Sequence, residues 1–313
     1  MPTPTSRLAP SPTGALHLGN ARTFFINWAM ARQSNWNLVM RLEDLDGPRV
    51  KQDAAKSTLD TLHWLGLDWD GEVLVQSDDL EPYRESVERL CRLGRAYACD
   101  LSRAEINQAA SAPHSTEHET AFPPALRPET AGQPCPFDPE DANIRFLTSG
   151  PPIEIHDGYC GHSKHDVATV PGDFVIWTRR GTPSYQLAVI IDDARQGVTD
   201  VVRGDDLLSS AARQTLLGQA LDLPIPNWWH VPLVLGPDGH RLAKRHGDTR
   251  LTHYRERGVR PERILGLLAH WCGLTEERCE LNIHDVLPAF DPQLIPREPI
   301  TMTTEEERWL CCD

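Results

Sequence analysis

The amino-acid sequence predicts an α/β fold, a doubly wound parallel sheet that carries an inserted subdomain and ends in a small helical domain. Three observations predict it. Strand-like and helix-like stretches alternate between Arg7 and Leu65, as parallel strands joined by crossover helices require. A run rich in proline, alanine, threonine and charged residues, from about Ser111 to Asp141, interrupts the alternation before strand signals resume at Phe174. Beyond Thr249 the periodicity is helical throughout.

Each element follows from spacing. A short strand around Arg7 leads through a loop with Gly14 into a helix over Leu18 to Gln33. Leu38 to Leu42 reads as a buried strand, Val50 to Leu65 as a helix with apolar spacing of three and four, and Pro82 to Leu93 as a further helix. Tyr97-Ala98-Cys99 follows, and there the pattern breaks. Phe174 to Trp177 and Leu187 to Ile191 read as strands, Leu207 to Leu221 as a helix, and Trp229 to Leu235 as a strand-like stretch. Four helices are expected last: Leu251 to Arg257, Pro261 to Cys272 with proline at a favourable start, Ile283 to Phe290, and Thr304 to Leu310. The expected organisation is residues 1-97 and 171-248 as two halves of one domain, 98-170 as the insertion, and 249-313 as the helical unit.

Composition bounds the class. The chain has 313 residues, enough for a sizeable core, and its 40% hydrophobic and 24% charged content is ordinary for a globular protein. With no apolar run of membrane-spanning length and no signal-peptide pattern, a cytoplasmic monomer is expected, and its eight cysteines are read as thiols. The net charge of −14 is acidic for a nucleic-acid ligand. The acidic residues concentrate in Asp68 to Glu88 and Glu276 to Glu307, however, while Arg203, Arg241, Lys244, Arg245 and further arginines up to Arg263 bias residues 200-263 towards basic. Charge alone leaves an RNA-binding face and a solvated mixed surface equally open.

The loop Pro10-Ser11-Pro12-Thr13-Gly14-Ala15-Leu16-His17 has the build of a phosphate site. Glycines let the backbone approach an anion, the helix amino terminus near Gly19 and Asn20 supplies N–H groups, and His17 adds a donor. Gly14 and Gly19 have P-loop spacing but lack the following lysine and hydroxyl residue, and no dinucleotide fingerprint follows a strand. A second cationic loop, Gly239-His240-Arg241-Leu242-Ala243-Lys244-Arg245-His246-Gly247, lies far downstream.

Together the two loops resemble those of the class I aminoacyl-tRNA synthetases, which carry a His-x-Gly-His element early and a Lys-Met-Ser-Lys-Ser element late. Here these are His17-Leu18-Gly19-Asn20 and Arg241-Leu242-Ala243-Lys244-Arg245, with Asn20, Arg241 and Ala243 departing from the pattern. The glutamyl branch is resembled most closely, through Arg7 to Gly14, Arg41-Leu42-Glu43-Asp44-Leu45-Asp46, Tyr185 to Val189 with Asp192-Asp193, and Val202-Arg203-Gly204-Asp205-Asp206. Five matches in order cover most of the first 250 residues. The resemblance implies a Rossmann-like catalytic domain using ATP with Mg²⁺. Within the branch, the early end after the lysine loop is similar to the short enzymes that join glutamate to the queuosine base in the anticodon of tRNA(Asp).

Roles follow from what the resemblance implies and from the chemistry. His17 and Lys244 are expected to stabilise phosphoryl charge while the glutamate α-carboxylate attacks the α-phosphorus. Pro10, Thr13, Gly14, Gly19, Asn20, Arg241 and Leu242 are expected beside ATP. A dicarboxylate with an ammonium needs cations and one anion: Arg7 and Arg203 can clamp carboxylates, Glu43 the ammonium, and Tyr185 can wall the pocket, with Leu8, Ala9 and Ser11 alongside. Which arginine meets which carboxylate stays open.

The branch often holds zinc through a Cys-x-Cys pair, a tyrosine and another cysteine. Here Cys99 stands alone, with Leu101, Phe122 and Leu126 at the other positions, so zinc is expected to be absent. A substitute from Cys135, Cys160, His162 or His165 has no recognised ligand spacing. Cys311-Cys312 reads as an exposed thiol pair, since adjacent cysteines bridge poorly. Three functions remain: transfer to queuosine, charging of a tRNA 3′ end by a shortened glutamyl enzyme, and a silent paralogue that binds ATP or tRNA.

Overall fold

The computed structural model describes residues 3–12, 15–45, 52–109, 121–240, 242 and 248–311. Strand β1 (Thr5–Leu8) is buried along its whole length, as a central parallel strand must be. Helix α1 (Leu18–Gln33) returns the chain so that β2 (Asn37–Leu42) pairs with β1 in parallel, Arg7 opposite Val39. After α2 (Gln52–Trp64), β3 (Val73–Val75) adds to the far side of β2, again in parallel.

Helix α3 (Glu81–Arg92) leads to β4 (Ala96–Cys99) and α4 (Arg103–Ala109). Five strands follow: β5 (Asn143–Phe146), β6 (Ile153–Asp157), β7 (Gly161–His165), β8 (Phe174–Thr178) and β9 (Thr182–Pro183). They divide between two sheets. β4, β5, β8 and β9 form an antiparallel sheet in that order, whereas β6 and β7 are a hairpin that docks elsewhere.

Helix α5 (Tyr185–Arg195), β10 (Asp200–Gly204), α6 (Leu208–Ala220) and β11 (Asn227–Val231) complete the winding. β10 and β11 are parallel, and β6 joins β11 through Trp228 and Asp157 to give the order β10-β11-β6-β7. β10 runs beside β1: Thr199 N–H donates to the Thr5 carbonyl at 2.8 Å, and Arg7 Nη1 to the Val202 carbonyl at 3.3 Å. Strand order therefore reverses between β1 and β10, where an open α/β sheet leaves a crevice at its carboxyl ends.

Two-residue β12 (Val234–Leu235) precedes the second cationic loop, and α7 (Leu251–Glu256), α8 (Pro261–Trp271) and α9 (Ile283–Ala289) follow it. This end of the chain is not wholly helical. β13 (Ile300–Thr301) pairs in parallel with β12 before α10 (Thr304–Cys311) closes the described chain. Phe25 and Ile26 of α1 are fully buried in one core cluster with Leu267 and Leu268 of α8, so the helical end covers α1. Removing a side chain such as Phe25 from such a core costs about 3–5 kcal/mol.

The strand expected over Leu187 to Ile191 is a helix. Those residues form the centre of α5, and all of Leu187 to Asp193 is buried. A helix enclosed on every side shows no polar stripe, so its apolar run has the same appearance as a buried strand. The proline-rich run is irregular in its described part, 121–141, apart from a short turn at Pro124–Leu126. Its first part, 111–120, and Cys312 lie outside the described residues.

Candidate active site

At the crevice between β1 and β10 lies a pocket of about 340 Å³, within the usual range for a small-molecule site. Arg7, Ala9, Ser11, His17, Gly19, Asn20, Glu43, Tyr185 and Arg203 all line it. The structure thus gathers residues from five separate stretches of chain into one cavity. Leu8, Pro10 and Leu242 do not line it. Leu8 and Leu242 are sealed in the core at 0% and 2% exposure, and buried Pro10 uses its carbonyl to accept the Glu43 N–H at 3.0 Å. Thr13, Gly14, Arg241 and Lys244 lie outside the described residues.

His17 is the N-cap of α1. Its Nδ1 accepts from the N–H groups of Gly19 at 3.1 Å and Asn20 at 3.4 Å, while Asn20 Oδ1 accepts the His17 N–H at 3.3 Å. This is a capping box built with a histidine and an asparagine. Because Nδ1 is an acceptor, the proton of the neutral ring sits on Nε2, which makes that nitrogen the donor. A Cβ on Gly19 would stand 3.1 Å from the imidazole, so glycine lets the ring lie over the helix start.

The second cationic loop is anchored against the first. Leu242 N–H donates to the Val234 carbonyl at 3.2 Å, and Val234 itself lines the pocket. On the loop's far side, Leu18 N–H donates to the Thr249 carbonyl at 3.1 Å and Leu251 N–H to the Leu16 carbonyl at 2.9 Å. The later flank of the loop therefore meets the residues that bracket His17, while Leu242 ties back to the strand before it.

The other wall is ionic. Arg7 is 4% exposed, with Nε 3.4 Å from Asp193 Oδ1. Arg41 is fully buried and divides its guanidinium between Asp193 at 2.8 Å and Glu43 at 3.1 Å. Burial opposes its charge, but Asp193 and Glu43 outweigh that and raise its pKa. Burial pushes the Glu43 carboxyl above the usual range despite Arg41 and Arg7. Arg203 donates from Nε to His230 at 3.0 Å and from Nη1 to Gln214 at 2.9 Å, and its guanidinium lies 4.8 Å from the Trp228 ring centre. The pocket thus presents two guanidinium groups, the Glu43 carboxylate held by Arg41, and the phenol of Tyr185.

Reading the sequence missed several lining residues. Thr23 and Phe24 sit one turn beyond Gly19 and Asn20, so the helical period could have placed them; Asp206 belongs to a quoted motif but had no assigned role. Leu233 was legible only as strand core.

The four positions at which the glutamyl branch often holds zinc share one apolar cluster. Cys99 and Phe122 are buried with Tyr97 and Ile106, and Leu101 and Leu126 pack against them. One thiol among hydrocarbon does not fit a zinc ion. The alternative ligands are dispersed: Cys135 Sγ donates to the Ala96 carbonyl, Cys160 Sγ to the His230 carbonyl, and His165 pairs with Ser163. Among the described residues, a group able to hold a metal is Glu154, His156 and His162, all exposed on the β6–β7 hairpin. No helix of the described residues is long and apolar enough to cross a membrane.

Comparisons with known proteins identify the family. Residues 5–287 match the family described as class I tRNA synthetases (E and Q), catalytic domain. A glutamyl-Q tRNA(Asp) synthetase of Rhodopirellula baltica is 44% identical over 94% of each chain. One of Symbiobacterium thermophilum is 41% identical over 96% of each. The crystal structure of a glutamate-tRNA synthetase from Elizabethkingia anophelis shares the fold, with a TM-score of 0.80 at 24% identity over 98% of this chain and 70% of that one. The chain belongs to the class I tRNA synthetases of the glutamate and glutamine branch.

Proposed function

We propose that the protein activates L-glutamate with ATP and transfers it to the queuosine base in the anticodon of tRNA(Asp). One observation carries the substrate: Arg7, Arg203 and Glu43 meet in one pocket, two cations and an anion for two carboxylates and an ammonium. The relatives similar over 94–96% of both chains support the acceptor.

In activation the α-carboxylate attacks the α-phosphorus in line, the phosphoanhydride bond breaks, and pyrophosphate leaves with Mg²⁺ that arrived on the triphosphate. The protein positions the reactants and neutralises developing charge. Nε2–H of His17 faces that charge and Lys244 is assigned the balancing cation; the N–H groups expected from the start of α1 are not available, because those of Gly19 and Asn20 cap onto His17 Nδ1 and that of Leu18 donates to the Thr249 carbonyl. Glu43 receives the ammonium. Transfer then breaks the mixed anhydride and releases AMP. The protein acts as a cytoplasmic monomer without zinc in the segment around Cys99.

Glutamate-dependent ATP–pyrophosphate exchange should proceed without tRNA, and labelled glutamate should appear on queuosine-containing tRNA(Asp) but not on the 3′ end of tRNA(Glu). Lys244→Ala should lower exchange by about 10²–10³-fold, the usual contribution of one donor to a charged transition state. Labelling of tRNA(Glu) would make the protein a 3′-end charging enzyme, and absence of exchange a silent binder.

A further inference from the structure

Arg203 is held by residues to which the proposed reaction gives no part. Its Nε donates to His230 Nε2 at 3.0 Å, and the Nδ1 of the same imidazole lies 2.5 Å from Asp157 Oδ2. All three residues are sealed, at 5%, 0% and 6% exposure. Arginine offers only donors, so His230 Nε2 must present its lone pair. The ring proton then sits on Nδ1, where Asp157 accepts it. Both neighbours therefore select the same tautomer.

Asp157 is committed to accepting. Its carboxylate also receives the N–H groups of Tyr159 at 2.9 Å, Cys160 at 2.8 Å and His230 at 3.1 Å. Burial works against its charge, but these hydrogen bonds and that of His230 hold its pKa below the ordinary range. Burial lowers the pKa of His230 against the pull of Asp157, with Arg203 adding to the lowering, so the ring is neutral. Asp157 ends β6, and that strand joins β11 in register only at Trp228 and Asp157.

We propose that Asp157 and His230 are positioning residues for glutamate: Asp157 fixes the tautomer of His230, and His230 fixes the plane of the Arg203 guanidinium at the pocket wall. This rests on Arg203 meeting a substrate carboxylate. Gln214 and the Leu207 carbonyl hold Nη1 and Nη2, at 2.9 and 3.3 Å, and His230 supplies the hold on the Nε edge. The β6–β7 hairpin thereby has a task at the active site, delivering the carboxylate that orients the histidine.

The test compares His230→Leu, His230→Gln and Asp157→Asn in ATP–pyrophosphate exchange. His230→Leu should raise the glutamate KM about tenfold or more while the ATP KM stays within about twofold, since one hydrogen bond to a charged group is lost. His230→Gln, whose side-chain oxygen can accept from Arg203 Nε, should recover most of the loss. Asp157→Asn should behave like His230→Leu. An amide N–H turned to Nδ1 moves the ring proton to Nε2, where donor faces donor. An unchanged glutamate KM in His230→Leu, equal rises in both KM values, or no advantage of glutamine over leucine would overturn the proposal.

Histidine ¹⁵N shifts test the tautomer independently of turnover. The wild-type signal lost in His230→Gln should be Nδ1-protonated; Nε2 protonation overturns the proposal even in an active enzyme. A wild type with the expected tautomer but no exchange removes the glutamate reading instead, and with it the role assigned to Arg203.

Discussion

A single oxygen of Asp193 holds two arginines that begin far apart in the chain: Oδ1 lies 2.8 Å from Arg41 Nη1 and 3.4 Å from Arg7 Nε. Arg41 and Asp193 are 0% and 1% exposed, so neither charge has water as an alternative partner. Arg7 stands on β1, Arg41 on β2 and Asp193 on α5. The helix thus positions both substrate-facing strands through one carboxylate.

Asp193→Ala should accordingly act on folding as well as on the pocket. Removing one partner of a buried pair typically costs about 3–5 kcal/mol, because two desolvated arginines are then left with Glu43 as the shared anion. Urea denaturation should show a loss of that order. A loss below about 1 kcal/mol would mean that Glu43 and Gln196, which Arg41 also meets, suffice to hold it and that the pair with Asp193 is incidental to the fold.

The pH dependence of glutamate binding should carry the signature of Glu43. Its pKa is raised by burial, so the carboxylate needed to receive an ammonium is lost at a higher pH than for an ordinary glutamate. The sign follows: as pH falls through that raised value, the glutamate KM should climb. On stability the same shift acts oppositely, since a raised carboxyl favours folding on the acid side and loses that contribution as pH rises through it. Glu43→Gln should weaken glutamate binding at pH 7 and flatten the acid limb. A limb that persists unchanged in the variant would assign it to another group.

Metal analysis tests the reading of the insertion. Purified protein should carry far less than one zinc per chain, and a chelator should leave the melting temperature unchanged, because Phe122, Leu101 and Leu126 supply packing where other members hold ligands. Near-stoichiometric zinc whose removal lowers the melting temperature would overturn this, and His162→Ala would then show whether the exposed hairpin group holds it.

What could be read from the sequence followed local physics. α1 was legible over Leu18 to Gln33 because its cap, apolar faces and length all lie within one stretch. Arg7, Glu43 and Arg203 were legible because each lies in a stretch that resembles the glutamyl branch, and the structure brings the three to one pocket. Two features were not. α5 is buried on every side, which erases the period that separates helix from strand. The β6–β7 hairpin was not expected at all: β6 turns Ile155 and Asp157 inward, and the partner that makes a buried aspartate possible, His230 donating to it, lies 73 positions away. The pairing of Asp193 with Arg41, 152 positions apart, likewise leaves no local trace.

The parallel pair β12–β13 carries a consequence for how the protein breathes. Ile300 N–H donates to the Leu233 carbonyl at 3.0 Å and Met302 N–H to the Leu235 carbonyl at 2.9 Å, beside the strand that feeds the second cationic loop. Gln33, at the far end of α1, donates to the Phe290 carbonyl at 2.7 Å. The segment from α9 to β13 therefore clasps both α1 and the strand that feeds the second cationic loop, the side to which the nucleotide is assigned under the proposed function, while Arg203 and Asp193 belong to the other half of the crevice. Hydrogen exchange would see these as separate cooperative units. The nucleotide side would open together with residues near Ile300, and the glutamate side would stay closed with α5 and β10.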